Sequence, residues 1–335
     1  MLDQTNFSLS RGIRLISHES FVSCPEIHVE HVRPGRLARF FSFSSHLFQF
    51  AYALQLLLNA GRNTVLILNG AGKLWIFAGL LNRLPLIGGR CILCWDIFVE
   101  VESRWKKMLM KGAMAGFPLS VLWSRDQIAP HARFLGMPEA RFIFLPFKAN
   151  HSQHRRYDLP IDNFIFSGGN GKRDYPCLIE AVRDTGIPVI ISATAPEVLN
   201  SIELLPNAIV LGAPEPAFGQ LQAAARFVVI PMTFTGLKGG GEANFCNAMW
   251  HGRPIIAADS ISASEYIVDG ETGFVVPSGD SKSLRKRILE LWHDPEKAAR
   301  MGEAARRHVE ENFTHEKFIR RLLRLALVLG REKFS

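Results

Sequence analysis

The chain has 335 residues, 47% of them apolar and 21% charged, with a formal net charge of +8. That is enough chain for two cores of ordinary domain size, and too even a mixture for a disordered, collagen-like or membrane-embedded protein. Five cysteines, Cys24, Cys91, Cys94, Cys177 and Cys246, are odd in number and scattered, which argues against a disulfide framework and for a reducing compartment.

The charge is unevenly spread. Residues 1–157 carry 19 Lys and Arg against 9 Asp and Glu, whereas residues 158–335 carry 20 against 22. A basic first half holding the apolar runs FFSFSSHLFQFAYALQLLL and LWIFAGLLNRLPLI suits a domain resting on an anionic membrane; buried helices with solvated arginines give the same pattern. Nucleic acid is not expected as a partner, because the basic residues are scattered and no module with interleaved base-stacking aromatics is present. The first twenty residues lack the apolar core of a secretory signal, and no eighteen apolar residues follow in succession. A cytoplasmic location is therefore expected, with the inner face of the plasma membrane as the place of any lipid contact.

In chain order, the first sixty residues show no clear period beyond a helix over His46–Asn59. From there TVLILN, GAGKLWIFAGLLN, RCILCWDIF, PLSVLWS and RFIFLPF alternate strand-like and helix-like patterns, the signature of a wound α/β domain. GAGK, Gly70 to Lys73, lacks the glycine spacing of a phosphate loop, and Leu74 supplies no hydroxyl, so it reads as a strand-to-helix turn. Cys91 and Cys94 have the spacing of a metal pair but lie in a strand with no second pair, so they read as core residues and no zinc is expected. The polar stretch KANHSQHRRYDLPIDN reads as a linker. After it NFIFS, PCLIEAVRDTG, PVIISA, AIVLG, FGQLQAAA and ARFVVIPM repeat the alternation.

A βαβ unit follows. The buried strand in ARFVVIPM leads through GLKGGG to a helix, EANFCNAMWHG, and a further strand, RPIIAA. Gly239, Gly240 and Gly241 serve either to turn a tight corner or to bring backbone N–H groups to an anion at the helix N-terminus, beyond the strand ends where ligands collect. Two amphipathic helices close the chain: Leu284, Ile288 and Leu291 share one face, as do Phe318, Leu322, Leu325 and Leu329.

NAMWHGRPIIA, EYIVDGETGFVVPSGD and AARRHVEENF resemble the retaining nucleotide-sugar glycosyltransferases of the GT-B fold, the group 1 type that builds bacterial polysaccharides and glycolipids. The resemblance is strong from about Phe164 to Phe313 and thin before Asp96. FIFSGGNGKRDYPCLIEAV resembles the first strand, basic phosphate-contacting turn and helix of the nucleotide domain, and FIFLPFKAN resembles the interdomain crossing. The fold implied is α/β, with two Rossmann-like parallel-sheet domains facing across a cleft. Residues 1–150 would form an acceptor-side domain, 151–315 the nucleotide-sugar-binding domain, and 316–335 a helix packing back on the first; an abbreviated first domain is one reading of the thin match.

The reaction implied is sugar transfer, with retention, from a UDP- or GDP-sugar to a saccharide or lipid-linked acceptor. No cofactor and no metal are expected, so fixed cations and backbone dipoles must neutralise the leaving pyrophosphate. Lys172 and Arg173, after the turn that includes Gly169, match the family's basic turn, and Lys238 adds a cation in the glycine turn. The family's two glutamates, eight positions apart, fall on Gly239 and Asn247, so both are missing. Asn247 retains an amide able to bond a ribose. Glu242 either replaces the sugar-facing acid or complements the helix dipole, Asn244 faces the phosphates, and Glu265 lies near the same mouth or anchors its helix. In the first domain Trp95 stands where relatives place a histidine, leaving Asp96 beside the reacting sugar. The same residues also fit a catalytically silent relative acting as a nucleotide-binding or partner subunit, and a nucleotide-sugar epimerase.

Overall fold

The computed structural model describes residues 12–334 apart from 62, 71, 98–102, 154–155, 158, 234–236 and 238–239. It divides into two compact units. One runs to Leu145 and takes in the chain from Phe318 onward; the other is Pro146–Lys317.

The first unit contains β1 (Arg14–Ser17), β2 (Glu30–His31), α1 (Arg36–Phe40), α2 (Ser45–Asn59), β3 (Thr64–Asn69), α3 (Leu74–Leu81), β4 (Cys91–Trp95), α4 (Arg104–Met114), β5 (Leu119–Leu122), α5 (Ile128–Leu135) and β6 (Phe142–Phe144). The strands pair in parallel in the order β2-β1-β3-β4-β5-β6. β3 and β4 read as continuous apolar runs because helices cover both faces of a parallel sheet, and their register sets Val65 opposite Cys91 and Asn69 opposite Trp95. Cys91 and Cys94 are both buried, and burial pushes the Cys94 thiol up, with Asp96 adding to the effect. On α2, Ser44 caps the first turn by accepting from the Leu47 N–H at 3.5 Å, and Ala53, Leu56 and Leu57 are fully buried. Each such leucine contributes about 1.5–3 kcal/mol. Gly70 ends β3 where a Cβ would lie 2.6 Å from the Asp96 carbonyl oxygen, and Lys73 leads into α3 with its Nζ 2.8 Å from His46 Nε2. Gly70 and Lys73 thus lie between the end of a strand and the start of a helix.

The second unit contains β7 (Ile165–Gly168), α6 (Tyr175–Val182), β8 (Val189–Ser192), α7 (Pro196–Leu199), β9 (Ala208–Leu211), α8 (Ala217–Ala224), β10 (Val228–Ile230), α9 (Glu242–Trp250), β11 (Ile255–Ala258), α10 (Ala263–Tyr266), β12 (Gly273–Val276), α11 (Ser281–His293) and α12 (Pro295–Asn312). Its sheet is also parallel, in the order β12-β11-β10-β7-β8-β9. The chain winds outward from β7 to β9 and then returns to the other side of β7, so the order reverses between β7 and β10. A crevice outside the strand ends is expected at such a reversal. The expected linker is partly built into this unit: Lys148 and Ala149 are buried, Ala149 bridges to Thr314, and Asn150–Gln153 form a 3-10 turn.

The last helix, α13 (His315–Phe334), belongs to the first unit from Phe318 onward. Phe318 packs against Trp95 and Trp123 at centroid separations of 5.4 and 5.9 Å, and Leu322, Leu323 and Ala326 are fully buried on the same helix. None of the described helices is long and apolar enough to cross a membrane. Phe318→Ala should destabilise the first unit by about 3–5 kcal/mol, the usual range for emptying an aromatic core site. Urea unfolding followed by tryptophan emission, to which Trp95 and Trp123 report, checks this; an unchanged midpoint would contradict the assignment of α13 to that core.

Candidate functional site

The site is built where the sheet of the second unit reverses its order. β7 ends at Gly168 and the chain turns through Gly169, with φ +116°, and Lys172, with φ +52°. Gly169 cannot be replaced without strain, because a Cβ there would also meet the Arg173 guanidinium at 2.9 Å. Asn170 fixes the turn from outside by accepting from the Thr194 and Ala195 N–H groups at 2.7 and 2.9 Å. On the inner side Thr233 N–H donates to the Lys172 carbonyl at 3.0 Å, and Arg173 pairs with Met232 in an antiparallel bridge. The turn after β7 is thereby bonded to the chain leaving β10.

Arg173 is half-buried and folds back across its own turn. Its Nε donates to the Gly168 carbonyl at 3.0 Å and Nη1 to the Gly171 carbonyl at 2.9 Å. Asn244, in the first turn of α9, donates through Nδ2 to the same Gly168 carbonyl at 3.1 Å, while its own carbonyl accepts from Gln222. One carbonyl oxygen therefore joins the two turns. Burial lowers the pKa of the Arg173 guanidinium, with Tyr175 and Glu242 acting in the opposite sense.

Glu242 opens α9 and is 7% exposed. Burial pushes its carboxyl above the usual range; Ser262, the N–H groups of Glu242 and Gly240, and Arg173 pull the other way. Even so, among the described residues Oε1 of Glu242 has no hydrogen-bond partner, and neither does the buried hydroxyl of Ser260. The carboxylate thus combines a first-turn position, where the helix dipole favours it, with an unfilled acceptor. Gly240 and Gly241 pack tightly under this turn: added Cβ atoms would meet Met232 Cε at 2.7 Å and the Phe245 ring at 2.8 Å, and Gly241 has φ +94°. Packing accounts for these two glycines by itself. Lys238 and Gly239 lie outside the described residues.

Gly169, Lys172, Arg173, Glu242 and Asn244 are brought together. Asn247 lies one turn farther along α9, 5% exposed, with Oδ1 accepting from the His151 N–H at 3.1 Å. Its carbonyl is already engaged, which leaves only the amide N–H groups for a ribose. Glu265 lies on α10, which packs against α9 just after Ser262. Asp96 belongs to the first unit: it follows β4 with φ +62°, and its Oδ1 accepts from Trp123 Nε1 at 3.1 Å.

Sequence reasoning missed the histidines. His151 Nδ1 lies 2.9 Å from His251 Nε2, and His151 Nε2 lies 3.0 Å from Glu215 Oε1. Tyr157 stacks on His251 at 5.4 Å. The signal available was a histidine at the end of the helix EANFCNAMWHG, which by itself does not separate a buried network from a solvated helix end.

Residues 200–308 match the family model described as glycosyl transferases group 1. That stretch, about a third of the chain, resembles a group 1 glycosyltransferase domain. A D-rhamnosyltransferase, WbpZ of Pseudomonas aeruginosa, is 28% identical over 146 residues, 41% of this chain and 37% of its own length. The chain spans about a fifth of the length of other curated relatives it matches. Among solved structures, sucrose-phosphate synthase of Thermosynechococcus elongatus aligns over 89% of this chain and 82% of its own, with TM-score 0.64 and 17% identity. Anabaena HepE in complex with UDP aligns over 88% and 84%, with TM-score 0.60 and 18% identity. At these identities the likeness establishes the fold, and the two parallel six-stranded sheets are those of the GT-B type.

His251 supplies a test of the site's electrostatics. Burial, then the charges of His151, Arg253 and Arg156, lower its pKa from 6.5 to about 3. A histidine held neutral in the folded state contributes stability that is complete above pH 6.5 and is lost as pH falls from there toward 3. At pH 5 the loss should be about 2 kcal/mol. Denaturant unfolding at pH 7 and pH 5 should show that His251→Gln flattens this slope; an equal slope in both proteins would contradict it.

Proposed function

We propose that this protein moves a sugar from a UDP- or GDP-sugar to a saccharide or lipid-linked saccharide, with retention, in cell-surface polysaccharide or glycolipid synthesis. The observation that carries the reading is the meeting of Arg173 and Asn244 on the Gly168 carbonyl at the point where the sheet reverses. That junction sets a guanidinium beside the amide-rich N-terminus of a nine-residue helix, α9, at the strand ends. Anionic oxygen is favoured there. The UDP held by HepE and the D-rhamnosyl transfer named for WbpZ agree with a nucleotide-sugar donor and a glycosyl acceptor.

The mechanism follows from what the leaving group needs. As the glycosidic bond to the diphosphate breaks, negative charge grows on the departing oxygens, and preorganised donors that need no reorientation stabilise it most. Arg173, Lys172 and the first N–H groups of α9 take this role, without a metal. Lys172 holds a positive φ, which costs about 1–2 kcal/mol for a residue with a Cβ, and such strain is characteristic of sites. A double displacement needs a second carboxylate beside the sugar carbon, and the unit offers no pair suited to it among the described residues. Attack by the acceptor hydroxyl on the same face, its proton passing to the departing phosphate oxygen as the bond to the diphosphate breaks, accounts for retention. Glu242 orients the hydroxyls of the donor sugar through its unpartnered oxygen, Gly240 and Gly241 line the same turn, and Asp96 serves the acceptor.

Incubation with radiolabelled UDP- and GDP-sugars and a membrane lipid extract should transfer label; no product and no donor hydrolysis from any donor would sink the proposal. Arg173→Ala should weaken UDP or GDP binding by about 1.5–3 kcal/mol, measured by titration calorimetry, the range for a hydrogen bond to a charged group. A catalytically silent, nucleotide-binding subunit is the second reading, favoured by the missing glutamates and by the engagement of Asn247 with His151. Nucleotide binding without turnover in the same assay would select it, and donor turnover without acceptor would select an epimerase.

The proposal includes work on the cytoplasmic face of a membrane. On α1 and the loop to α2, Phe40 and Phe43 are 71% and 75% exposed, beside exposed Leu37 and the basic residues Arg36 and Arg39. Apolar side chains flanked by arginines are what an anionic lipid surface takes up. Replacing Phe40 and Phe43 together by serine should lower co-sedimentation with phosphatidylglycerol vesicles at least fivefold while leaving UDP affinity unchanged; equal sedimentation would remove this face as the contact.

A further inference from the structure

The second unit holds a cavity of about 360 Å³ at the far end of α9, away from the donor turn. Pro254, which leads into β11, and Arg226, just before β10, place it at the opposite edge of the sheet. Its wall includes Arg156, Arg226, Arg253, Arg306, His251 and Glu303. Among the described residues, four guanidinium groups and one carboxylate therefore line the space.

Two of the four are held by aromatic rings. Arg226 lies 4.3 Å over the Trp292 ring and donates to the Trp292 carbonyl at 2.7 Å, and Arg156 lies 5.5 Å over Trp250. Arg306 is matched by Glu303 and Glu310, and Glu310 also reaches Arg156 at 3.7 Å. Neither Arg226 nor Arg253 has an ion pair among the described residues, and the buried Nε of Arg253 has no hydrogen-bond partner. His251 is 7% exposed, lines the cavity, and leaves its Nδ1 without a partner. Arg226 and Arg253 are half-buried, and the buried Nε–H of Arg253, left open, is costly unless something supplies an acceptor. The planar, forked guanidinium is shaped for a tetrahedral oxyanion, and the volume suits a small guest.

We propose that this cavity binds a phosphate-bearing anion, held by Arg226 and Arg253 and distinct from the donor nucleotide. A soluble phosphate ester and a lipid phosphate headgroup share the required chemistry. Calorimetric titration of the full chain with inorganic pyrophosphate should resolve two sites. Arg253→Gln should weaken one of them at least tenfold and leave UDP affinity unchanged, while Arg173→Ala should weaken only the other. Pyrophosphate binding of unchanged affinity in Arg253→Gln would overturn the proposal, whether the unmodified chain shows one site or two.

Two further measurements guard it. With UDP saturating, pyrophosphate should shift the His251 imidazole resonances of the unmodified chain, and no shift overturns the site even where the variant fails to fold. Phosphatidic acid vesicles distinguish the sources: retention that Arg253→Gln abolishes selects the lipid headgroup, and pyrophosphate binding without vesicle retention selects the soluble ester. The donor proposal can fail while this one stands, because UDP affinity and turnover are read separately.

Discussion

The second unit depends on one carbonyl. Gly168 O accepts from Arg173 Nε and from Asn244 Nδ2, and so ties the turn after β7 to the start of α9, two segments separated by 76 positions. Each bond is worth about 1–3 kcal/mol, the larger figure for the charged donor. Geometry matters more than that sum. With β7 and β10 adjacent in the sheet, the bond converts two nearby strand ends into one rigid corner whose cation and helix N-terminus keep a fixed relation. A Cβ on Gly168 would strike the Phe218 ring at 2.4 Å, so the strand end itself tolerates no larger residue.

One strained backbone position, Lys172, falls in the candidate site of the second unit. Among the described residues, the non-glycine positions with positive φ are Asn63, Asp96, Lys172 and Asp184. Asn and Asp accept that conformation because their short polar side chains bond locally. Lysine has no such compensation. A lysine kept where glycine would be relaxed is better explained by its charge than by the turn, which Gly169 and Gly171 would complete without it.

Much of the fold is legible in the sequence because parallel sheets buried on both faces write themselves as unbroken apolar runs. TVLILN, CILCW, VVI and IIAA read as strands and fall in β3, β4, β10 and β11. The strands β1 and β2 escape such a reading, since RLIS is four residues with one arginine outermost and EH is two residues on an edge, where pairing rather than hydrophobicity defines the strand. At the site, residue types are readable and partners are not. Nothing in the spacing of Gly168 and Asn244 says that they meet, and nothing in the polar stretch around His151 says that it inserts under α9 and occupies the Asn247 carbonyl.

The two ends of α9 show which electrostatic effect prevails. A helix C-terminus favours a protonated histidine by roughly 0.3–1 kcal/mol, and by about 2 in partly buried cases. His251 caps that end, yet its pKa falls from 6.5 to about 3, a difference of about 5 kcal/mol against the charged form. Desolvation and neighbouring positive charge therefore outweigh the dipole. At the other end the dipole and Arg173 favour an ionised Glu242, and burial still pushes its carboxyl above the ordinary range. Burial governs both ends, so the helix presents a neutral imidazole at one and a reluctant carboxylate at the other. A negatively charged guest beside Glu242 would raise the cost of ionisation further, so a bound diphosphate and a protonated Glu242 reinforce each other.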